Sequence, residues 1–292
     1  MHSIEVFLVD AFTANSRGGN TAGVVWDADP LSDDDKLAIA KKVGYSETAF
    51  ICNDDVADFN VSFYTVTEEV DFCGHATVAA FSTLMQKGVI RPDRYQQRTK
   101  AGILDVEVKE DGQIIMAQQC PRFLRTFDYD EIAPLIGIPA SVLSLTQLPV
   151  ESISTGLPDI IVALPNGYLD KISIDEQKLS AFCLKHNCIG LHAFELNDNK
   201  QMNFTASCRN FAPAVGITEE AATGSASGAL ASYLVKHSDI EDKSYDFIFE
   251  QGRAMGCRSE IAVNIERKND KISRVSVSGF ANIKGTILIG DE

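Results

Sequence analysis

Positive charge is in short supply. Lys and Arg total 26 against 41 Asp and Glu, and the formal net charge is -15. Such a chain is a poor coat for nucleic acid, whose binding depends on cationic groups releasing counterions. It is equally ill suited to an anionic membrane surface. A small acidic substrate stays compatible, because a local site can be positive on a negative protein. Long apolar runs are missing as well: no uncharged apolar run approaches the roughly 20 residues that span a bilayer. The first twelve residues read as a strand carrying Glu5 and Asp10, not as the basic-then-apolar layout of a signal peptide. Cysteine is present, but its pairing pattern is absent. Seven occur, an odd number, with no tight CxxC, which argues against a disulfide scaffold and for reduced thiols in the cytoplasm. Histidine is scarce: His2, His75, His186, His192 and His237 form no HxH, HExxH or metal-spaced thiol pair, so metal binding has little support. Dinucleotide, phosphate-loop and serine-elbow motifs are also missing; Gly18, Gly19 and Gly23 do not follow the GxGxxG order.

What is there is ordinary in bulk and informative in detail. Apolar residues make up 45% and charged ones 23%, the balance of a folded globular chain. The length of 292 residues fits one large domain or two of common size. Strands are expected at Ile4–Val9, Val24–Trp26, Ala49–Cys52 and Phe59–Tyr64. Further ones are expected over 103–108, 114–118, 143–148, 159–164, 247–250, 259–265 and 273–278. Asn15–Gly23 reads as a glycine-rich loop. Ser32, the acids Asp33–Asp35, the lysines Lys41 and Lys42 and a stop at Gly44 spell out a helix.

Two helix starts stand out. Gly74-His75-Ala76-Thr77 opens one alanine-rich helix and Gly224-Ser225-Ala226-Ser227 the other, each preceded by acids. Helices this small-sided suit the centre of a wrapped sheet. The surroundings partly repeat: Phe63 precedes Gly74 as Phe211 precedes Gly224, and Thr48-Ala49-Phe50 lines up with His192-Ala193-Phe194. Two similar α+β domains follow, 1–125 and 126–279, with a boundary expected near 121–135 between Pro121 and Pro134. The last strand, about 280–292, is free to return to the first domain.

The free N–H groups at a helix start and the helix dipole favour an anion, and glycine lets a carboxylate come close. Two such starts therefore point to an acidic or amino-acid-like ligand, the plainer alternative being two buried helices with common glycine starts. Glu47 sits in the turn between a helix and a strand. A carboxylate drawn out of water holds its proton nearer neutrality and can both take and give one. His75, beside the first helix start, can act as acid, base or orienting group, or serve structure alone.

The chain resembles the phenazine-biosynthesis PhzF-like family of the diaminopimelate-epimerase-like fold. Four blocks carry the resemblance: Asp10–Thr13 with Gly18–Val25, Ser46–Phe50, Phe72–Thr77, and Arg209–Pro213 with Gly216-Ile217 and Ala222–Ala226. It implies two domains, each a curled, mostly antiparallel sheet around a central helix, and a site in the cleft between them. It implies a homodimer that needs neither metal nor organic cofactor. Glu47 would move a proton on a small carboxylated metabolite, with His75 and Glu220 as further catalytic groups. Asn20, Gly74, Gly224 and Ser225 would bind substrate. Glu220 stands where the family has aspartate, Ala221 and Thr21 where it has proline. The wider superfamily includes racemases with two opposed cysteines; Cys73 holds the first of those positions and Thr223 the second. A hydroxyl is a poor substitute for a thiolate, so one general base fits better than two. A non-enzymatic binding protein and an epimerase remain the alternatives. The site is expected to be locally positive, with Arg209 as one source of that field.

Overall fold

The computed structural model describes residues 3–197, 203–237 and 242–290. His2 and residues 291 and 292, which the first and last strand expectations touch, lie outside the described residues. The chain divides into two compact units, Met1–Ala117 with Ser278–Glu292, and Gln118–Val277.

The first unit runs β1 (Ile4–Ala11), β2 (Asn20–Trp26), α1 (Asp33–Val43), β3 (Thr48–Cys52), β4 (Phe59–Tyr64), β5 (Glu69–Val70), α2 (Gly74–Gln86), β6 (Asp93–Thr99), β7 (Gly102–Val108) and β8 (Ile114–Gln118). The strands pair in the order β1-β2-β3-β4-β6-β7-β8, with β5 folded back on β4. Two pairings are parallel, β2 with β3 and β4 with β6. Parallel neighbours need a crossover rather than a tight turn; α1 supplies the first and α2 the second.

The two helices differ in kind. α1 is a surface crossover with a Ser32–Asp35 capping box and a left-handed stop at Gly44. Its Ile39 and Ala40 pack with Val6, Val25, Phe50 and Tyr64. α2 has no polar face: every residue from His75 to Leu84 is buried. Thr77 and Thr83 return their hydroxyls to the carbonyls of Cys73 and Ala79 at 2.8 Å, which satisfies them without water. The helix lies against β1, β2 and β3, so the sheet curls around it.

The second unit runs β9 (Arg122–Phe127), α3 (Tyr129–Ile136), α4 (Ala140–Leu143), β10 (Val150–Ser154), β11 (Pro158–Leu164), α5 (Glu176–His186), β12 (Gly190–Leu196), β13 (Ala206–Ala212), β14 (Ile217–Glu220), α6 (Gly224–Lys236), β15 (Ser244–Gln251), β16 (Ser259–Lys268) and β17 (Lys271–Gly279). The order β9-β10-β11-β12-β13-β15-β16, with β14 on β13, repeats the scheme, including parallel steps at β11–β12 and β13–β15. α6 is the buried crossover here, against β10, β11, β15 and β16. The last strand, β18 (Ala281–Ile289), pairs antiparallel with β1, Ile4 opposite Ile289, and also lies against α2. It holds beside β1 the place that β9 holds beside β10.

Several local expectations need correction. Asn20–Gly23 is strand, not loop: a Cβ on Gly23 would lie 2.8 Å from Thr48 Oγ1, so this glycine marks close strand packing rather than a turn. Residues 143–148 are the end of α4 and a 3-10 turn, and the strand begins at Val150; Leu143 is buried but Leu145 faces water, which breaks the apolar run. The polar strands β6 and β9 have no apolar alternation to announce them. Residues 121–135 carry β9 and α3, while the division between units falls after Ala117. Ala49 lies opposite Phe63 but Leu191 opposite Phe211, so the match of Thr48–Phe50 to His192–Phe194 is displaced by two residues, which keeps the strand face.

Within the second unit three polar side chains are sealed from water. The Asn210 amide nitrogen lies 3.3 Å from His192 Nδ1 and 3.4 Å from Asp159 Oδ1. Burial pushes the Asp159 carboxyl up to about 7 and His192 down to about 3. From the carboxyl's ordinary 3.8 to the imidazole's ordinary 6.5, both are therefore mostly neutral in the fold and charged in the unfolded chain. Asp159 makes stability fall as pH rises through that interval; His192 makes it rise. The slopes oppose each other, and Asp159→Asn exposes the second alone. Relative to wild type, its stability climbs by about 1.4 kcal/mol per pH unit between these values. Urea unfolding of both proteins across that range checks this; parallel pH profiles would refute it.

Candidate functional site

Glu47 is fixed first through its backbone. The Gly23 N–H donates to the Glu47 carbonyl at 3.1 Å, and Thr48 enters β3 directly opposite Gly23. The close β2–β3 approach that requires glycine at 23 thus holds the Glu47 turn in place. The side chain is 12% exposed, and its Oε2 lies 3.2 Å from His75 Nε2. That distance is one of an ion pair, yet Oε2 is buried and accepts no hydrogen bond among the described residues. On the other side of the ring, Cys73 Sγ lies 3.4 Å from His75 Nδ1. One donor atom from each of Glu47, Cys73 and His75 falls within 4.8 Å of the other two. Sequence spacing does not reveal this trio, because Glu47 comes from a different element, 26 residues upstream of Cys73.

The start of α2 carries no side-chain cap: Cys73 is its N-cap, in extended conformation, and makes none. A Cβ on Gly74 would meet only Met116 Cε, at 3.7 Å, and Gly74 is not among the residues with positive φ. Neither crowding nor strain demands glycine there. A helix N-terminus attracts anions.

In the second unit Thr223 is the N-cap of α6 and also makes no cap. Its hydroxyl donates to Glu220 Oε2 at 2.5 Å. Gln251, fully buried at the end of β15, holds this pair from behind. Its Nε2 donates to the Glu220 carbonyl at 2.7 Å and to Thr223 Oγ1 at 3.1 Å, while its Oε1 accepts from the Thr223 N–H at 3.2 Å. Gly252 follows with φ +78; a Cβ there would lie 2.4 Å from the Cys257 carbonyl oxygen and 2.7 Å from that of Ala221. An amide directly before an obligatory glycine at a strand end is the signal that could have marked Gln251. Gly224 is buried and Ser225 half-buried, and the Ser225 carbonyl accepts from Thr155 Oγ1 at 3.0 Å. Asn20 stands at the first position of β2, opposite Ala11, rather than at a helix start. Arg209 does not supply the expected field: its guanidinium binds Glu219 through two hydrogen bonds, at 2.8 and 2.7 Å, and the carbonyls of Leu169 and Ile172. A hollow of about 560 Å³ beside α3 is lined by Asp128, Asp130 and Glu131, and the Asp128–Glu131 pair is spent on capping α3.

Fold and helix starts define an α+β protein of the diaminopimelate-epimerase-like class, built on two central helices. The model of the phenazine biosynthesis-like protein family matches residues 9–285, and the chain belongs to that family. It is 32% identical to YddE of Escherichia coli (strain K12), an uncharacterized isomerase, over 96% of both chains. It is 29% identical to the trans-2,3-dihydro-3-hydroxyanthranilate isomerase of Pseudomonas chlororaphis, covering 97% of this chain and 98% of that one. The crystal structure of a Bacillus anthracis phenazine biosynthesis protein of the PhzF family superposes with a TM-score of 0.91 over the whole of both chains, at 29% identity. Family and fold support classification as an isomerase. Among the described residues no helix is long and apolar enough to cross a membrane.

Gln251→Leu removes the amide that pairs both the Thr223 N–H and the Glu220 carbonyl. It is expected to destabilise the second unit by about 2–4 kcal/mol, and Thr223→Val by only about 1 kcal/mol. Chemical unfolding of the two variants checks the order; equal losses would show that Gln251 does not hold this turn.

Proposed function

We propose that the protein is a cofactor-independent isomerase that shifts a proton on a small carboxylated metabolite, with Glu47 as general acid and base. The observation that carries this is the buried Glu47 Oε2, which accepts no hydrogen bond among the described residues yet lies 3.2 Å from His75. A carboxylate oxygen that no donor claims keeps a lone pair for a carbon-bound proton. Glu47 takes a proton from one carbon and, after exchange with solvent, delivers one to another. His75 keeps the carboxylate aligned, and the backbone around Gly74 polarises the substrate as negative charge develops. In the second unit, the helix start at Gly224 and Ser225 binds a carboxylate, and Asn20 is a further substrate-binding group. Glu220 takes part through the carboxyl that Thr223 and Gln251 hold. As a family member the protein is proposed to act as a cytoplasmic homodimer.

The named activity of the Pseudomonas chlororaphis relative makes trans-2,3-dihydro-3-hydroxyanthranilate the first substrate to test, within a panel of small carboxylates. The thiol of Cys73, 3.4 Å from His75 Nδ1, favours one second reading, an epimerase in which sulfur handles the other face of the carbon. Turnover in deuterated water separates the two: an isomerase moves the double bond, whereas an epimerase inverts the carbon that exchanges. Glu47→Gln preserves shape and removes basicity, so deuterium incorporation should fall by about a hundred- to ten-thousand-fold. Undiminished incorporation by that variant would end the Glu47 assignment, and binding without exchange across the panel would favour a non-catalytic protein.

A further inference from the structure

Lys284 reaches further into the first unit than its place on the last strand suggests. Gly285 lies opposite Leu8 and Ile283 opposite Val9, so Lys284 is the extra residue of a β-bulge in β18. A bulge takes one residue out of the regular alternation and re-aims its side chain. Here it sends the ammonium across β1 to β2. The Lys284 Nζ lies 3.0 Å from Asp10 Oδ1 and donates to Thr21 Oγ1 at 2.7 Å. The Thr21 hydroxyl in turn donates to Asp10 Oδ1 at 2.5 Å. The same nitrogen stands 5.2 Å from the ring centroid of Tyr45, within the range of a cation–π contact.

Tyr45 belongs to the turn between Gly44, the left-handed end of α1, and Thr48, the first residue of β3. Glu47 lies in that turn two residues later. Thr21 adjoins Asn20 and precedes by two residues Gly23, whose N–H holds the Glu47 carbonyl at 3.1 Å. The Glu47 turn is therefore attached to β2 at two points. The Gly23 bond fixes it at the β3 end, and Lys284, bridging Thr21 and Tyr45, fixes it at the α1 end. We propose that Lys284 is a positioning residue for Glu47: it holds the Tyr45 side of the turn against β2 and so restricts where the carboxylate points. Its effect on turnover rests on the isomerase reading; its effect on the turn does not. The Lys284 and Asp10 side chains are 39% and 23% exposed, and an ion pair this open to water contributes little to overall stability. The catalytic demand is stricter, because misplacing a reacting group by about an ångström costs on the order of a hundredfold in rate.

Lys284→Met keeps a long apolar stem and removes the charge. Amide hydrogen exchange, read by NMR, reports on the turn without any substrate. In this variant the Gly23 amide should exchange at least about fivefold faster. The Ala28 amide, which donates to the Ile51 carbonyl at 2.9 Å just beyond the other end of β2, should keep its rate. Lys284→Arg retains a cation for the ring and should restore protection. Tyr45→Leu leaves Lys284 with Asp10 and Thr21, and should loosen Gly23 as Lys284→Met does. On a substrate that the enzyme turns over, Lys284→Met should lower kcat at least about tenfold with KM within about twofold, and should add nothing in the Tyr45→Leu background. Unchanged Gly23 exchange, equal acceleration at Gly23 and Ala28, no rescue by Lys284→Arg, or unchanged kcat overturns the proposal. Selective loosening of Gly23 in a protein whose wild type turns over no member of the carboxylate panel rejects the isomerase reading alone.

Discussion

Ten consecutive residues of α2, His75 through Leu84, are buried, so this helix has no face to give to water. It can exist only inside something, and what encloses it is its own sheet. The parallel step from β4 to β6 forces the chain to cross over, and α2 is that crossover. The helix body is committed to the core, and its N-terminus carries no side-chain cap. The same logic repeats in the second unit with β13, β15 and α6. Capping reflects the division of labour. The surface helices α1 and α5 are closed by Ser32 and Asp175, whereas the two central helices receive no side-chain cap from Cys73 or Thr223.

The carboxylate at Glu47 is held under tension of a chemical kind. Removing a charged oxygen from water without giving it a donor is costly. That cost is borne where the backbone is rigid, at the Gly23–Glu47 hydrogen bond and the start of β3. Glu220 is treated in the opposite way: Thr223 donates to its carboxyl and Gln251 braces them both. One acidic group has a buried oxygen with no hydrogen bond among the described residues, and the other is bonded and braced. Similar helix starts therefore stand beside carboxyl groups in unlike surroundings.

Much of this was legible in the chain. Ser32, Asp35 and Gly44 mark α1 through local hydrogen-bond and dihedral demands, and the structure gives that helix the residues expected. The two glycine-led, alanine-rich stretches are central helices because small residues on every side tolerate close packing. What was not legible depended on contacts distant in sequence. Gly23 resembles a loop residue until Thr48 is set beside it. Arg209 resembles a free cation until Glu219 closes on it. Cys73 and His75 are two residues apart and suggest nothing until Glu47 arrives from another turn. Gln251 is one amide among many until β15 ends against the loop before α6.

The pairing of β1 with β18 has a temporal side. The second unit is one continuous stretch of chain, so a ribosome can deliver all of it before the C-terminal strand has been made. The first unit is interrupted: β1 is synthesised before the second unit, yet its outer neighbour, residues 281–289, emerges after the whole of it. Throughout that interval one edge of β1 has unpaired backbone groups, the kind of edge that recruits stray strands. The order of maturation thus runs against the order of the sequence. The half of the molecule that carries Glu47 is started first and finished last.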